Sequence, residues 1–362
     1  MATRSGTSTE LRLARFDALV AELAETVLPD NLDHLVHPHG IDLKPFEDRD
    51  GRMAHWRGIL QRADLVWDGM GDDASRELML RWFAHRVLGP AHVRLQLEPG
   101  PYRELVIHGM SQCLRQACVV STPRFPFEWC IHRYDFRPLG LDAELVGAPL
   151  PLAQTFGFQQ YAHRDPTLGA SPREGDVVVD VGGCWGETAV WFAMNVGHGF
   201  VHTFEPSAAN RHILQHNLDL NPAVASRVRV HEAPLSDRAG EEVWMPDAIA
   251  AGLQMGDPAF APDDTGRHIT DTLDRLVEAG EIPRVDFLKL DVEGAEARVL
   301  AGAVETIRRD HPRLALSVYH LDDDFVTIPE VVSRAGVDYR WHLQCSTMDV
   351  VDTVLFGVPT GH

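Results

Sequence analysis

The stretch Gly175-Asp-Val-Val-Val-Asp180-Val-Gly-Gly-Cys-Trp-Gly186-Glu-Thr188 decides the fold. Its apolar run, broken only by Asp180, reads as a strand buried on both faces, which is how strands of parallel sheets read. The glycine-rich turn after it leads into a helix. In open α/β sheets a ligand sits at the carboxyl ends of the strands beside such a turn, where glycine lets the backbone come close. Outward from this unit, strands are expected near 177–181, 200–204, 228–232, 285–290, 314–319, 338–343 and 353–357. Helices are expected near 186–195, 207–219, 271–279, 294–309 and 326–335, with Gly197 closing the first and Asn221-Pro222 the second. This alternation is the signature of a doubly wound α/β sheet.

The turn reads Gly182-Gly183-x-x-Gly186, not the G-x-G-x-x-G of a dinucleotide site, and Asp180 just before it would repel a pyrophosphate. A carboxylate there suits a ligand that carries an ammonium and a sulfonium, a description that S-adenosylmethionine fits. Glu187 and Thr188 open the next helix and join Asp180, Gly182, Gly183 and Gly186 in the expected cofactor set. Glu205 ends the second strand, 25 positions after Asp180, where a carboxylate can accept both ribose hydroxyls. Asp237, in the loop Glu232–Asp237, is expected beside the adenine edge. The bland readings are a structural turn, a solvated Glu205 and an ordinary loop.

The segment Val285-Asp-Phe-Leu-Lys-Leu-Asp291-Val-Glu-Gly-Ala-Glu296 puts Asp291 at a strand's carboxyl end, facing the same crevice. Glu293 and Glu296 enter the first turn of the following helix, where the macrodipole favours negative charge, and capping is the simpler role for Glu296. Lys289 lies in an otherwise apolar strand, so a carboxylate partner is expected.

At 362 residues the chain has room for a catalytic domain and an added N-terminal region. Apolar residues recur at helical spacing from Ser8 to about Leu88, with Ser8 or Thr9 as a cap, further helices at Met53–Leu65 and Ala74–Leu88, and a stop at Gly89-Pro90. Residues 1–90 are therefore read as a helical cap or dimerisation region. Short apolar runs at Val93–Leu97, Leu105–His108 and Trp129–Phe136 make 91–170 a β-rich connector or lid, and 171–362 the catalytic domain. A net charge of −20 argues against nucleic-acid or anionic-membrane partners. No apolar run is long enough to span a membrane, and the first residues lack a secretory signal, so a cytoplasmic chain is expected. Cys113, Cys118, Cys130, Cys184 and Cys345 have no zinc-like spacing and read as free thiols.

From Gly175 to Phe356 the chain resembles the FkbM-type methyltransferases. The likeness rests on Gly175-Asp-Val-Val-Val-Asp-Val-Gly, Phe204-Glu-Pro, the segment 285–296 with Leu300-Ala-Gly-Ala303, Leu314-Ala-Leu-Ser-Val-Tyr-His320 and Asp352-Thr-Val-Leu-Phe356. The resemblance implies a class I, Rossmann-like fold with a seven-stranded sheet and an antiparallel last strand. It also implies methyl transfer from S-adenosylmethionine, usually to a hydroxyl of a sugar or secondary metabolite. It places Asp180, Gly182 and Gly186 in the cofactor loop, Glu205 on the ribose, Asp291 near the methionine part and His320 on the acceptor side.

A hydroxyl acceptor must lose a proton, and imidazole is a natural base, so His320 is the first catalytic candidate, with Asp291 and Glu293 as substitutes. In one respect the chain departs from the family: Cys345-Ser-Thr-Met-Asp349 stands where its relatives show His-x-Thr-x-His. With Asp322-Asp323-Asp324 after His320, that acidity keeps N-methylation of an amine or guanidine open as the alternative. A non-catalytic nucleotide-binding protein is the rival from another class. No metal is expected, since His212/His216, His198/His202 and the Asp322–Asp324 run lack a convincing further ligand. The expected partner is a small-molecule acceptor.

Overall fold

The computed structural model describes residues 4–31, 48–122, 129–246 and 265–361. The strands among them are β1 (Leu114–Thr122), β2 (Trp129–Asp135), β3 (Glu144–Gly147), β4 (Val177–Val181), β5 (Phe200–Phe204), β6 (Val228–His231), β7 (Glu242–Pro246), β8 (Thr265–Ile269), β9 (Phe287–Leu290), β10 (Arg313–Ser317), β11 (Tyr339–Cys345) and β12 (Thr353–Pro359). Seven of them form one sheet in the order β11-β12-β10-β9-β4-β5-β6. β4, β5, β6, β9 and β10 pair in parallel, and β12 is antiparallel to both β10 and β11. This is the class I methyltransferase architecture that the sequence implies, with all seven sheet strands where they are expected.

Strand order fixes the crevice. The chain leaves β4 for β5 and β6 on one side and returns to β9 and β10 on the other, so β4 and β9 flank the topological switch point. Both are buried along their length apart from Val177, because helices cover the two faces. The helix expected over 294–309 is two, Glu296–Ala301 and Val304–Asp310. They break at Gly302, where a Cβ would stand 2.1 Å from the Ser236 carbonyl oxygen.

The N-terminal helices are Arg4–Leu23, Arg49–Arg62, Asp64–Gly69 and Asp73–Leu88. Ser8 and Thr9 do not cap the first; they lie inside it and donate to Asp68 and Asp64. Phe16, Trp56, Leu60, Trp82 and Phe83 share one core with Phe325 and with Trp341 of β11, so the apolar faces of these helices are covered within the chain. Met70 bridges Trp341 and the Gly71 N–H donates to the Trp341 carbonyl at 2.8 Å, which covers part of the exposed edge of β11.

In the connector, β1, β2 and β3 form a small antiparallel sheet. Leu105–His108 is not extended: Pro99 and Pro101 start a helical run that reaches Cys113. Val93–Leu97 forms no strand either. The β7–β8 hairpin was not anticipated; its strands are 18 residues apart in sequence and carry no tight-turn signal. Among the described residues no helix is long and apolar enough to cross a membrane.

Candidate active site

At the switch point Gly182 has φ 85°, and a Cβ there would meet the Asp291 carbonyl oxygen at 1.9 Å, so the β4 turn rests directly on the end of β9. Behind it Asp180 is fully buried. Its Oδ1 lies 3.0 Å from Lys289 Nζ, and its Oδ2 accepts from the hydroxyls of Thr188 at 2.8 Å and Thr203 at 3.0 Å. Lys289 has the carboxylate partner its setting demands, and it also donates to the carbonyls of Val181 (3.2 Å) and Gly182 (2.7 Å). The expectation that Asp180 meets a cofactor ammonium is therefore corrected, because its charge is taken up by Lys289. Thr188 likewise faces Asp180 and not the crevice. Asp180, Thr188 and Lys289 brace the glycine turn from inside.

Glu187 fits the ligand better. Its Oε2 is buried without a hydrogen-bond partner, and burial raises its pKa to about 7. Such an atom calls for a donor, and a cofactor ammonium supplies both donor and charge. Glu205 is 6% exposed and accepts backbone N–H groups from Cys184 (2.9 Å) and Ser207 (2.8 Å). Burial raises it to about 7 against the pull of those amides. The Asn210 side chain also hydrogen-bonds this carboxylate, and of the roughly four lone-pair sites that a carboxylate offers, one is left to meet a ribose hydroxyl. Asp237 accepts from Ser236 Oγ (3.0 Å) and from Arg298 Nε (3.2 Å), which ties the Glu232–Asp237 loop to the helix Glu296–Ala301.

On the acceptor side, Asp291 accepts from the phenols of Tyr161 at 2.7 Å and Tyr319 at 3.1 Å. Burial opposes its charge, yet Lys289, His320 and the hydrogen bond from Tyr161 hold its pKa below the ordinary value. His320 sits among three carboxylates. Its Nδ1 lies 2.8 Å from Glu296 Oε1, and its Nε2 is 3.3 Å from Glu293 and 3.5 Å from Asp291. Burial disfavours the imidazolium, but the Glu296 hydrogen bond and the surrounding negative charge prevail and raise its pKa to about 10. The geometry therefore favours the imidazolium and makes His320 a charge partner of the three carboxylates, a setting that works against its expected role as the general base. Glu296 also accepts from the Val292 N–H at 2.8 Å, closing the turn before its helix.

Glu293 is the partly exposed carboxylate of this cluster. It occupies a left-handed turn (φ 55°), its side chain is 29% exposed, and its pKa is raised to about 7, by burial first and then by the neighbouring carboxylates, against His320. The run after His320 diverges. Asp322 pairs with His55 (2.9 Å) and Arg86 (3.0 Å) of the N-terminal helices, whereas Asp324 is buried and accepts from the Leu321 N–H. Asp349 points away from the cluster, 3.8 Å from His85. Three residues escaped notice as site residues: Asp352, Gln154 and Tyr161, the last two supplied by the connector. Of these only Asp352 lies in a motif that carries the family likeness, Asp352–Phe356.

Cys113, Cys184 and Cys345 are free thiols, as expected; the side chains of Cys118 and Cys130 lie outside the described residues. Asp291, Glu296 and His320 also bring three potential metal-ligand atoms within 4.8 Å of one another. His320 Nδ1 is already engaged by Glu296 at 2.8 Å, and methyl transfer is expected to be unchanged by EDTA. Activity lost in EDTA and restored by a divalent ion would assign the three residues to a metal.

A family model for the methyltransferase FkbM domain matches residues 169–339. The chain is 32% identical over 197 residues to the 31-O-demethyl-FK506 methyltransferase FkbM of Streptomyces tacrolimicus, covering 46% of this chain and 72% of that protein. It is 31% identical over 135 residues to the hexuronic acid methyltransferase AglP of Haloferax volcanii, covering 37% of this chain and 53% of that protein. In fold it is similar to the crystal structure of an FkbM methyltransferase from Methylobacillus flagellatus KT, at 18% identity and TM-score 0.50. That match covers 88% of this chain and 63% of the other. The chain belongs to the FkbM-type methyltransferases, a family whose methyl donor is S-adenosylmethionine.

Proposed function

We propose that this protein methylates a hydroxyl of a small molecule, with Glu293 as the base that takes the hydroxyl proton. The observation that carries the reading is Glu293 itself: a partly exposed carboxylate at the switch-point crevice, raised to about 7 and 3.3 Å from the His320 imidazolium. A base works best with a pKa near the working pH. The cofactor supplies the electrophilic methyl group, so the protein's task is orientation, exclusion of water and removal of one proton. Glu187 and Glu205 are the residues to hold its ammonium and its ribose. Asp291, fixed by two phenols, offers negative charge beside the reacting centre, and His320 keeps the carboxylates around it apart.

Both curated relatives are named for small oxygen-rich acceptors, a macrolide and a sugar acid, which supports this substrate class. The N-terminal helices reach the loop after β10 through Asp322, which supports a capping role for them. A second reading, N-methylation of a cationic amine, is favoured by the carboxylates Asp291, Glu293, Glu296, Asp324 and Asp352 gathered near one imidazolium.

Methyl transfer from labelled cofactor across sugars, macrolides, polyketides and amines tests both readings. Transfer to amines alone would replace the oxygen reading with the second. Calorimetric titration with S-adenosylhomocysteine tests the cofactor, and a lack of binding would sink both. Glu205→Ala should weaken that binding about 10- to 100-fold by removing a charge-assisted contact to the ribose. It should also lower Tm, because the Cys184 and Ser207 amides lose their acceptor; a lower Tm with unaltered affinity would make Glu205 purely structural.

A further inference from the structure

Five side chains form a continuous hydrogen-bonded chain along the acceptor side. The connector's Gln154 donates to Asp352 Oδ2; Asp352 Oδ1 lies 3.3 Å from Tyr319 Oη; Tyr319 Oη lies 3.1 Å from Asp291 Oδ1; Tyr161 donates to Asp291 Oδ2 at 2.7 Å. Asp352 itself is held at φ 59°, a left-handed conformation, just before β12.

Counting hydrogens decides the charges. Tyr161 spends its proton on Asp291. Tyr319 has one proton and two carboxylate oxygens within reach, so with both aspartates ionised one contact would set lone pair against lone pair. Such a contact is costly between half-buried side chains. A proton on one aspartate removes the conflict. Asp291 is the one that stays ionised, because His320 Nε2 is 3.5 Å away, whereas the contacts of Asp352 are the neutral Gln154 and Tyr319.

From this geometry we infer that Asp352 is a neutral carboxylic acid in the resting protein and acts as a positioning residue: its O–H donates to Tyr319, which commits the Tyr319 proton to Asp291. Asp291 is then an anion fixed by two phenols next to the cofactor turn. The groups facing Asp352 agree. Burial and the charges of Asp291 and Glu293 disfavour a second anion, and only the Gln154 amide, the Tyr319 hydroxyl and the more distant His320 oppose them, leaving a pKa of about 7. As the pH rises through that value Asp352 ionises, Tyr319 is shared between two anions and Asp291 loses its fixed geometry.

The kinetic consequence rests on the methyltransferase reading; the protonation state does not. Infrared spectroscopy on the full chain with isotope-labelled aspartate, which separates the glutamates, should show a carboxylic-acid C=O band that titrates near neutrality apart from that of Asp324, which burial also raises to about 7. The band should vanish in Asp352→Asn and shift in Tyr319→Phe, which removes the acceptor of the acid proton. No such band in the unaltered protein, or one untouched by both variants, would overturn the inference. In turnover, Asp352→Ala should lower kcat about tenfold or more. Asp352→Asn should recover most of that loss without the alkaline decline, because an amide can donate to Tyr319 and accept from Gln154. An Asn variant as inactive as the Ala variant would mean that Asp352 works as an anion. Altered infrared bands in a protein that methylates none of the acceptors would count against the functional reading and leave the protonation state standing.

Discussion

Glu293→Gln is expected to lower kcat toward a hydroxyl acceptor by about 10²- to 10⁴-fold while leaving S-adenosylhomocysteine binding within about threefold. The amide keeps the size of the side chain and removes the lone pair that takes the proton. In the unaltered protein the rate should rise as the pH approaches about 7, since the base must be ionised and Glu293 is raised to about 7, and it should fall beyond as Asp352 ionises, so the profile peaks near neutrality. His320, raised to about 10, stays protonated across that range and loses its charge only well above it. The two candidates separate in His320→Ala. Without the imidazolium, Glu293 has lost its nearest cation, so its pKa climbs and the rising limb moves to higher pH. In an Asp352→Asn background, which lacks the alkaline decline, activity should then be largely recovered by working at higher pH. If His320 were the base, no pH would restore the rate, and a flat, low profile in His320→Ala would return the role to the imidazole. For a cationic nitrogen acceptor the signature differs: Glu293→Gln would act mainly on KM, because the carboxylate would be holding a charge that the amide cannot match.

Why the imidazole looked like the base is instructive. Its position after the fifth strand is readable from the alternation of strands and helices, because strands buried on both faces leave apolar runs such as Leu314–Leu316. Its charge state is not readable in that way. It depends on three carboxylates converging from Asp291, Glu293 and Glu296, and the left-handed turn at Glu293 brings two of them to one ring nitrogen. Asp180 shows a similar limit. Spacing places it at the carboxyl end of β4, but in the parallel register it lies opposite Lys289 of β9, and that pairing turns its charge inward. Once β4 and β9 are taken as neighbours, the partner that Lys289 requires is nearly determined. Gln154 and Tyr161 were hidden for a different reason. They lie 198 and 130 residues from the aspartates they hold, in a connector whose helical and extended parts alternate too briefly for periodicity to resolve.

The buried pair under the glycine turn should give the largest change in stability. Lys289→Met removes the only positive charge that contacts Asp180 among the described residues and leaves a fully buried carboxylate with two threonine hydroxyls for support. Breaking a buried ion pair from one side costs about 3–5 kcal/mol, because the remaining charge is uncompensated. The melting temperature should fall accordingly at neutral pH. Combining Lys289→Met with Asp180→Asn removes both charges and should restore much of the stability, since replacing such a pair with neutral groups is often close to neutral in free energy. What the double variant should not restore is cofactor affinity. Lys289 also donates to the carbonyls of Val181 and Gly182, and these bonds set the turn against the end of β9. A double variant that folds well but binds S-adenosylhomocysteine at least about tenfold more weakly would show that the pair serves the geometry of the turn. One that binds as tightly as the unaltered protein would leave the pair a purely structural role.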